Sequence, residues 1–167
     1  IGFTLRYSPH YERMKEIITA GEIGKIVSME FNETLDFNHG GYIHADWRRK
    51  TKWAGSHLLE KCCHDVDLVN WMVGSTAVKA ASFGGCDFFT PKNAYHIERV
   101  GKSDNGVDSF QTWQKRREGS LGIPGNILNP FNDDKDILDN QVAIVQFANG
   151  VRTTFHTNCM TSMPERR

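Results

Sequence analysis

The sequence has no excess of charge, no long apolar run and no cysteine framework, and each absence excludes a class of protein. Twenty basic and twenty acidic side chains leave a formal net charge of zero over 167 residues, so electrostatics give no argument for a nucleic-acid partner. No apolar run reaches the ~18 residues of a membrane helix, and no signal-peptide pattern is evident, so we expect no membrane partner. Four cysteines, two of them adjacent, do not resemble a secreted disulfide pattern, and a cytoplasmic location is expected.

Two binding motifs are also missing. No G-x-G-x-x-G turn occurs, so the chain shows no means of holding a dinucleotide by itself. No C-x-x-C or H-x-x-x-H pair occurs either, and the adjacent Cys62 and Cys63 would point about 100° apart on a helix. We therefore predict no metal site, and we interpret Cys62 as part of an apolar stripe.

The order of the predicted elements favours an α+β fold. The predicted strands are residues 2–7, 26–35, 77–84, 141–148 and 151–159, of which the last two are joined by a two-residue Asn149-Gly150 turn. The predicted helices are residues 9–20, with Ser8 as the N-cap, and about 56–72.

Two stretches lack a clear period. Residues 36–55 are expected to be irregular, and residues 87–138 to form a long functional loop, a lid or a partly disordered segment. Strands joined by a tight turn favour a largely antiparallel sheet, and two helices would cover one of its faces. The other face then needs a cover that the chain does not supply, so we expect a homo-oligomer.

The stretch AGSHLLEKCCHDVDLVNWMVG, residues 54–74, shows the strongest chemical pattern. At 100° per residue, one side of the predicted helix is apolar and consists of Leu58, Leu59, Cys62, Val66, Val69 and Val73. The opposite side consists of His57, Glu60, His64, Asp67 and Trp71. Glu60 and Asp67 can meet His64 at spacings of four and three residues, and a His held by carboxylates is the usual form of a positioned proton donor or acceptor. The alternative interpretation is an ordinary charged outer face.

With LRYSPHYERMKEIITAGEIGKI, Asp46-Trp47-Arg48 and FANGVRTTFHTN, this helix resembles the second domain of the Gfo/Idh/MocA oxidoreductases. The resemblance implies an open, mostly antiparallel sheet with helices on one face, like the C-terminal domain of glyceraldehyde-3-phosphate dehydrogenase. Residues 1–167 would then be a fragment that forms the substrate-binding and oligomerisation domain. Residues 1–20 would be the tail of a Rossmann domain that is otherwise absent from the chain and that binds NAD or NADP.

The family motif has a carboxylate four residues before a His, and the resemblance assigns these positions to Glu60 and His64. It implies that His64 exchanges a proton with a substrate hydroxyl as hydride moves to or from the nicotinamide. Glu60 stands where many members have Asp. Lys61 is a third catalytic candidate, because family members usually draw a catalytic Lys from the absent domain; whether Lys61 replaces that Lys or only lies nearby is open.

Substrate contacts are expected from His44, Trp47, Arg48, His57 and Asp67, with His39 as a further neighbour. The alternative for His39, His44, Trp47 and Arg48 is an ordinary surface loop. The cluster Arg48, Arg49, Lys50 and Lys52 would suit an acidic or phosphorylated sugar, or would be a solvated basic turn. The expected function is the substrate domain of an NAD(P)-dependent oxidoreductase that acts on a sugar or polyol hydroxyl, inactive as an isolated fragment. The alternative is a non-catalytic assembly or ligand-binding domain.

Overall fold

The computed structural model describes residues 2–98 and 128–166, and it confirms the α+β class. The helices are α1 (Pro9–Thr19), α2 (Phe37–Ala45), α3 (Thr51–Ala54), α4 (His57–Glu60) and α5 (Cys63–Val73). The strands are β1 (Ser28–Asp36), β2 (Ala77–Gly85), β3 (Asn140–Phe147), β4 (Arg152–Thr161) and β5 (Glu165–Arg166). Short 3₁₀ helices cover Thr4–Tyr7, Trp47–Arg49 and Pro91–Glu98.

The five strands form one mixed sheet in the order β2-β3-β4-β1-β5. Three neighbouring pairs are antiparallel, as predicted for most of the sheet, whereas β1 and β4 run parallel. Along β4, buried residues such as Phe155 and Thr157 alternate with exposed ones. One face of the sheet is therefore covered and the other is open.

Two apolar clusters fill the covered face. The first packs α5 against the middle of the sheet and contains Phe31, Cys62, Val69, Val73, Phe147, Val151 and Phe155. The second contains Leu35, Ala45, Phe89, Phe131 and Cys159. Glu33 lies on the same face of β1, between Phe31 and Leu35, and is only 4% exposed. A buried carboxylate thus separates the two clusters along β1.

The predicted helix of residues 56–72 is interrupted. Lys61 and Cys62 lie between α4 and α5, and the backbone of Cys62 (φ −80°, ψ 1°) departs from helical geometry. The predicted apolar side is wrong in part, since Leu59 is 63% and Val66 38% exposed, while Asp65 is buried. The helical wheel assumed one continuous axis, and the interruption changes which residues of the following helix face the sheet.

Residues 36–55 are not irregular, because they include α2, a 3₁₀ turn and α3. The Asp36 side chain caps α2 by accepting a hydrogen bond from the His39 N–H. Gly40 packs against β4 so closely that a Cβ there would lie 2.0 Å from the Cys159 carbonyl oxygen. The glycines that suggest a loop in the sequence instead allow a helix to approach a strand.

The segment at residues 2–7 is also not a strand, since Thr4–Tyr7 form a 3₁₀ helix. Arg6 fixes this segment against α5 by donating two hydrogen bonds to Asp67, at 2.7 and 2.6 Å. This long-range ion pair is invisible to a local alternation pattern, which explains the wrong prediction.

The predicted hairpin is confirmed as β3 and β4, although its loop has three residues. The N–H of Gly150 donates to the Phe147 carbonyl, and the N–H of Phe147 donates to the Val151 carbonyl, both at 2.9 Å. Gly150 takes a positive φ of 87°, so this is a turn followed by a glycine bulge.

The predicted loop of residues 87–138 lies in part outside the described residues. Within the described part, residues 91–98 form a 3₁₀ helix, and Phe131 and Ile137 are buried in the core. No helix among the residues of known placement is long and apolar enough to cross a membrane.

Candidate functional site

The interruption between α4 and α5 lies over Glu33 and creates a set of paired buried charges. We call Glu33, Lys61, Asp65 and Arg166 the carboxylate network. Lys61 Nζ donates to Glu33 Oε1 at 2.6 Å. Arg166 Nε contacts Glu33 Oε2 and also lies 2.7 Å from Asp65 Oδ1. Because a buried carboxylate is stable only when it is paired, these contacts account for two acidic side chains inside the core.

Within this network, desolvation raises the pKa of Asp65, and the nearby negative charge of Glu33 raises it further. The Arg166 guanidinium opposes both effects and favours the ionised carboxylate. The negative charges of the two carboxylates are therefore balanced by the positive charges of Lys61 and Arg166.

His39 and His57, which we call the histidine pair, lie beside Lys61. Burial lowers the pKa of His57 to about 4, and the neighbouring charges of His39 and Lys61 act in the same direction. Burial also lowers the pKa of His39 to about 4, assisted by Lys61 and Arg48. Both imidazoles are therefore neutral at pH 7, and each can accept as well as donate a hydrogen bond.

The imidazoles of His39 and His57 differ in their hydrogen bonding. His39 Nε2 lies 3.3 Å from the Tyr42 hydroxyl. His57 is 3% exposed, and neither of its ring nitrogens has a hydrogen-bond partner within residues 2–98 and 128–166. A buried polar group without a partner is rare, and it is typical of sites where a ligand or ordered water completes the bonding.

Arg48 and Glu60 form a second ion pair at this site. Arg48 Nε donates to Glu60 Oε2 at 2.9 Å, and Arg48 Nη1 donates to Asp46 Oδ2 at 2.7 Å. The guanidinium stacks 4.3 Å from the centre of the Trp47 ring. Two carboxylates thus neutralise Arg48 and fix its orientation.

The other basic residues of the cluster at residues 48–52 are either paired with a carboxylate or lie over an aromatic ring. Arg49 and Lys50 both pair with Asp134, at 3.2 and 2.9 Å. Lys52 lies 4.5 Å from the centre of the Trp53 ring. Within the described part of the chain, the cluster therefore does not present several free cations to an acidic or phosphorylated ligand.

The predicted contacts between His64 and the carboxylates of its helix do not form. Glu60 is bound to Arg48, and Asp67 is bound to Arg6. The His64 ring packs edge-on against Phe3 at a centroid distance of 5.7 Å. Its Nδ1 is buried and has no partner among the residues that the structure describes. The interruption of the helix removes the i, i+4 relation between Glu60 and His64. Asp67 lies in the same helix as His64, but its carboxylate is held by Arg6 instead.

The structure brings together only some of the predicted substrate residues. His57, Arg48 and Trp47 lie near Lys61 or its neighbours, through the contacts given above. His44 lies deeper in the core, where it is fully buried, stacks on Phe89 and has its Nε2 3.8 Å from Cys159 Sγ. It is still close enough to His57 for that imidazole to contribute to lowering the pKa of His44, whose main cause is burial.

Asp67 is likewise held away from a substrate role by its pair with Arg6. It lines a cavity of about 340 Å³ whose other walls are mostly apolar, among them Phe3, Leu58 and Val66. The polar side of α5, which carries Asp67, is thus partly covered by the N-terminal segment and is not fully exposed to solvent.

Sequence reasoning missed Glu33, Asp65 and Arg166. The signal for Glu33 is present, since the alternation of β1 puts this carboxylate on the same face as Phe31 and Leu35. A charge on an apolar face predicts a buried partner. The partner could not be identified, because Arg166 is 133 residues away in the sequence.

The described residues do not fit a dinucleotide or a metal. The adjacent glycines 40 and 41 lie inside α2 against β4, and the N-terminus of α2 is already occupied by the Asp36 carboxylate. No group of three or more His, Cys, Asp or Glu side chains within residues 2–98 and 128–166 is arranged to hold a metal ion. The chemistry available here is proton transfer and hydrogen bonding to a polar ligand.

Comparisons with known proteins identify relatives that are longer than this chain. The YteT protein of Bacillus subtilis (strain 168) is 30% identical over 96 residues, which are 58% of this chain and 22% of that protein. Inositol 2-dehydrogenase/D-chiro-inositol 3-dehydrogenase of Lactiplantibacillus plantarum is 23% identical over 115 residues, 67% of this chain and 27% of that enzyme. The chain therefore matches about a quarter of the length of these relatives.

Solved structures show the same fold. Myo-inositol 2-dehydrogenase from Lactobacillus plantarum superposes with a TM-score of 0.55 at 19% identity, covering 99% of this chain and 40% of that one. The WlbA dehydrogenase from Bordetella pertussis, solved with NADH and UDP-GlcNAcA, superposes with a TM-score of 0.58 at 16% identity, covering 95% of this chain and 35% of that one.

The family comparison agrees with this fold. Residues 15–166 match the model of the oxidoreductase family's C-terminal alpha/beta domain. Oxidoreductases of this family use NAD(P). The match covers most of the chain, and it includes both the carboxylate network and the histidine pair. The chain therefore belongs to the Gfo/Idh/MocA oxidoreductase family, as its C-terminal alpha/beta domain.

Proposed function

We propose that the full-length protein is an NAD(P)-dependent oxidoreductase that acts on a hydroxyl of a neutral sugar or polyol, and that this chain is its substrate domain. The observation that carries the proposal is the buried His57 beside Lys61 and His39, whose ring nitrogens have no hydrogen-bond partner among the described residues. Neutral imidazoles and one ammonium are suited to the many donor and acceptor groups of a polyol. Because Arg48 is already paired with two carboxylates, a neutral ligand is favoured over an anionic one.

Oxidation of a hydroxyl releases a hydride and a proton, and the described residues can handle only the proton. We assign proton transfer to His64, which lies in the first turn of α5 and whose Nδ1 has no partner in the part of the chain that the structure describes. Lys61 and His57 hydrogen-bond the substrate oxygens, and Glu60 acts indirectly by orienting Arg48. NAD or NADP is bound by residues outside the described part of the chain, in a Rossmann domain for which residues 1–20 would be the tail.

Steady-state kinetics of the full-length protein test the proposal. Neutral polyols, such as the inositol isomers, and neutral hexoses are compared with hexose phosphates and uronic acids, with NAD⁺ or NADP⁺ as the oxidant. We expect turnover with a neutral substrate, followed by the absorbance of the reduced nicotinamide. Turnover of the anionic sugars alone would contradict the neutral-ligand assignment. Binding of a polyol without turnover would instead favour a ligand-binding or assembly role.

A second measurement tests where the nicotinamide binds. NADH is titrated into the chain of residues 1–167 and its fluorescence is followed. We expect no saturable binding at micromolar concentrations, because the described residues offer no glycine turn for the pyrophosphate. Saturable binding would contradict the assignment of this chain to the substrate side.

The open face of the sheet supports a homo-oligomer as part of the proposal. Phe83 is 79% exposed and lies opposite Val142 in the β2–β3 register, and Ile144 next to them is also exposed. Ile144→Asp should lower the mass of the particle measured by light scattering and leave the circular dichroism spectrum unchanged. Val27→Asp, at an exposed position before β1, is the matched control. An unchanged mass in Ile144→Asp would exclude this face as the interface.

A further inference from the structure

Glu33 has a position that packing alone does not require. It lies on the covered face of β1 between two apolar residues, where a Val or Leu would add to the core without any ion pair. Replacement of buried ion pairs by apolar side chains is often neutral or stabilising. A carboxylate at this position therefore points to a task that involves its partners.

The contact between Glu33 and Lys61 indicates what this task is. The N–H of Lys61 still donates to the His57 carbonyl at 3.0 Å, so its backbone is anchored to α4. Its side chain extends instead to β1, where Nζ meets Glu33 Oε1 at 2.6 Å. Arg166 occupies the second oxygen of Glu33, so the carboxylate is held from both sides.

The other groups around the Lys61 ammonium do not hold it in the same way. Those that face it are Glu33 from β1, His39 from α2, His57 from α4 and Asp65 from α5. The two imidazoles are neutral at pH 7, and the hydrogen bond of Asp65 goes to Arg166. Among the described residues, Glu33 is the carboxylate that hydrogen-bonds to Lys61.

We propose that Glu33 is a positioning residue that holds the side chain of Lys61 beside the histidine pair, where Lys61 donates a hydrogen bond to the substrate oxygen. This inference rests on the proposed function for the contact between Lys61 and substrate. The ion pair between Glu33 and Lys61 does not depend on the proposed function. The role of Lys61 at the interruption of the helix thus depends on a strand residue 28 positions earlier in the chain.

The kinetic test compares three variants of the full-length protein. Glu33→Gln keeps the shape of the side chain and removes its charge, and Glu33→Asp keeps the charge. Asp133→Asn is the matched control, because Asp133 is a buried carboxylate paired with its own lysine, Lys135, outside the carboxylate network.

We expect Glu33→Gln to lower kcat at least tenfold with KM changed less than threefold. Glu33→Asp should recover part of kcat, because it keeps the charge that holds Lys61, and Asp133→Asn should change neither kcat nor KM. An equal fall of kcat in Glu33→Gln and Asp133→Asn would show a structural role and overturn the proposal.

A measurement that needs no substrate separates this inference from the proposed function. Full-length wild type and Glu33→Gln are acetylated briefly at pH 8, and mass spectrometry gives the ratio of labelling at Lys61 to that at the exposed Lys25. We expect the ratio to rise several-fold in Glu33→Gln, because the ion pair that holds Lys61 Nζ against β1 is lost and Nζ becomes accessible to the reagent. An unchanged ratio would show that Glu33 does not hold Lys61.

The two arms together distinguish the possible failures. A higher labelling ratio with unchanged kcat would overturn the role of Lys61 at the substrate. Absence of turnover in the wild type would contradict the proposed function, and the labelling ratio would still decide whether Glu33 holds Lys61.

Discussion

The carboxylate network and the histidine pair lie side by side, yet their ionisable groups are buried in different ways. In the network, the Glu33 and Asp65 carboxylates are each hydrogen-bonded to a cation, although Asp65 Oδ2 and Arg166 Nη2 have no partner within the described residues. In the histidine pair, burial keeps both rings neutral, and His57 has no hydrogen-bond partner within the described residues. Paired charges hold side chains in place, whereas unpartnered neutral groups remain available to a ligand. The first region is thus suited to positioning and the second to binding.

The largest expected effect tests whether the network needs its cations. Arg166→Met leaves Asp65 buried without its guanidinium and should lower the free energy of unfolding by about 3–5 kcal/mol, measured by urea denaturation. Addition of Asp65→Asn to Arg166→Met should recover part of the loss, because the unpaired charge is removed. Arg13→Met, in an exposed pair with Glu16, is the control and should cost less than about 1 kcal/mol. A loss of that small size in Arg166→Met would show that the network does not stabilise the fold.

A second prediction concerns acid and the histidine pair. The pKa of each imidazole is about 4 in the folded chain, below the ordinary 6.5. The unfolded chain therefore binds protons first as the pH falls below 6.5, and the free energy of unfolding decreases down to about pH 4. Each imidazole should contribute up to about 3 kcal/mol to this loss, at about 1.4 kcal/mol per unit of pKa.

His44 adds to this loss, because burial lowers its pKa as well. His57→Gln should therefore remove only its own share of the acid sensitivity, whereas substitution of the exposed His10 should leave it unchanged. Urea denaturation at a series of pH values from 7 to 4 measures the slope. The same slope in His57→Gln as in the wild type would mean that burial does not lower the pKa of His57.

The third prediction separates a group that transfers a proton from one that orients a neighbour. In the full-length protein, His64→Ala should lower kcat about a hundredfold, or about 2.7 kcal/mol, the usual effect of losing an acid–base group. Glu60→Gln should lower kcat less, by about tenfold, because Glu60 contacts Arg48 instead of His64. Turnover near the wild-type value in His64→Ala would assign the proton to Lys61 or to a group outside the described residues.

Local patterns predicted those elements whose stability depends on nearby residues. The helix after Ser8 begins with Pro9 at its first position, and the β3–β4 hairpin forms around a glycine with positive φ, so both were predicted. Segments whose structure depends on distant contacts were predicted wrongly. Residues 36–55 form helices against β4, and Thr4–Tyr7 are bound to α5 by Arg6.

The candidate site shows the same division. The residues of the helix motif, among them Glu60, Lys61 and His64, could be identified from their order along the chain. Their partners could not, because Glu33 and Arg166 come from the two ends of the domain and meet only in the sheet, where β1 and β5 are neighbours. The interruption after Glu60 was also hidden, because a single helical period describes both sides of it equally well.

The sequence by itself therefore determined the fold class, the family and the residue types of the site, because these depend on composition, short-range order and motif spacing. The tertiary structure alone decided which charges are paired and which imidazoles are left unpartnered. Pairing depends on distances between residues that are far apart in the chain, and desolvation depends on how closely the core surrounds them. The pattern of residues 54–74 thus contains the chemistry of the site, and the sheet beneath it assigns each of those side chains its partner.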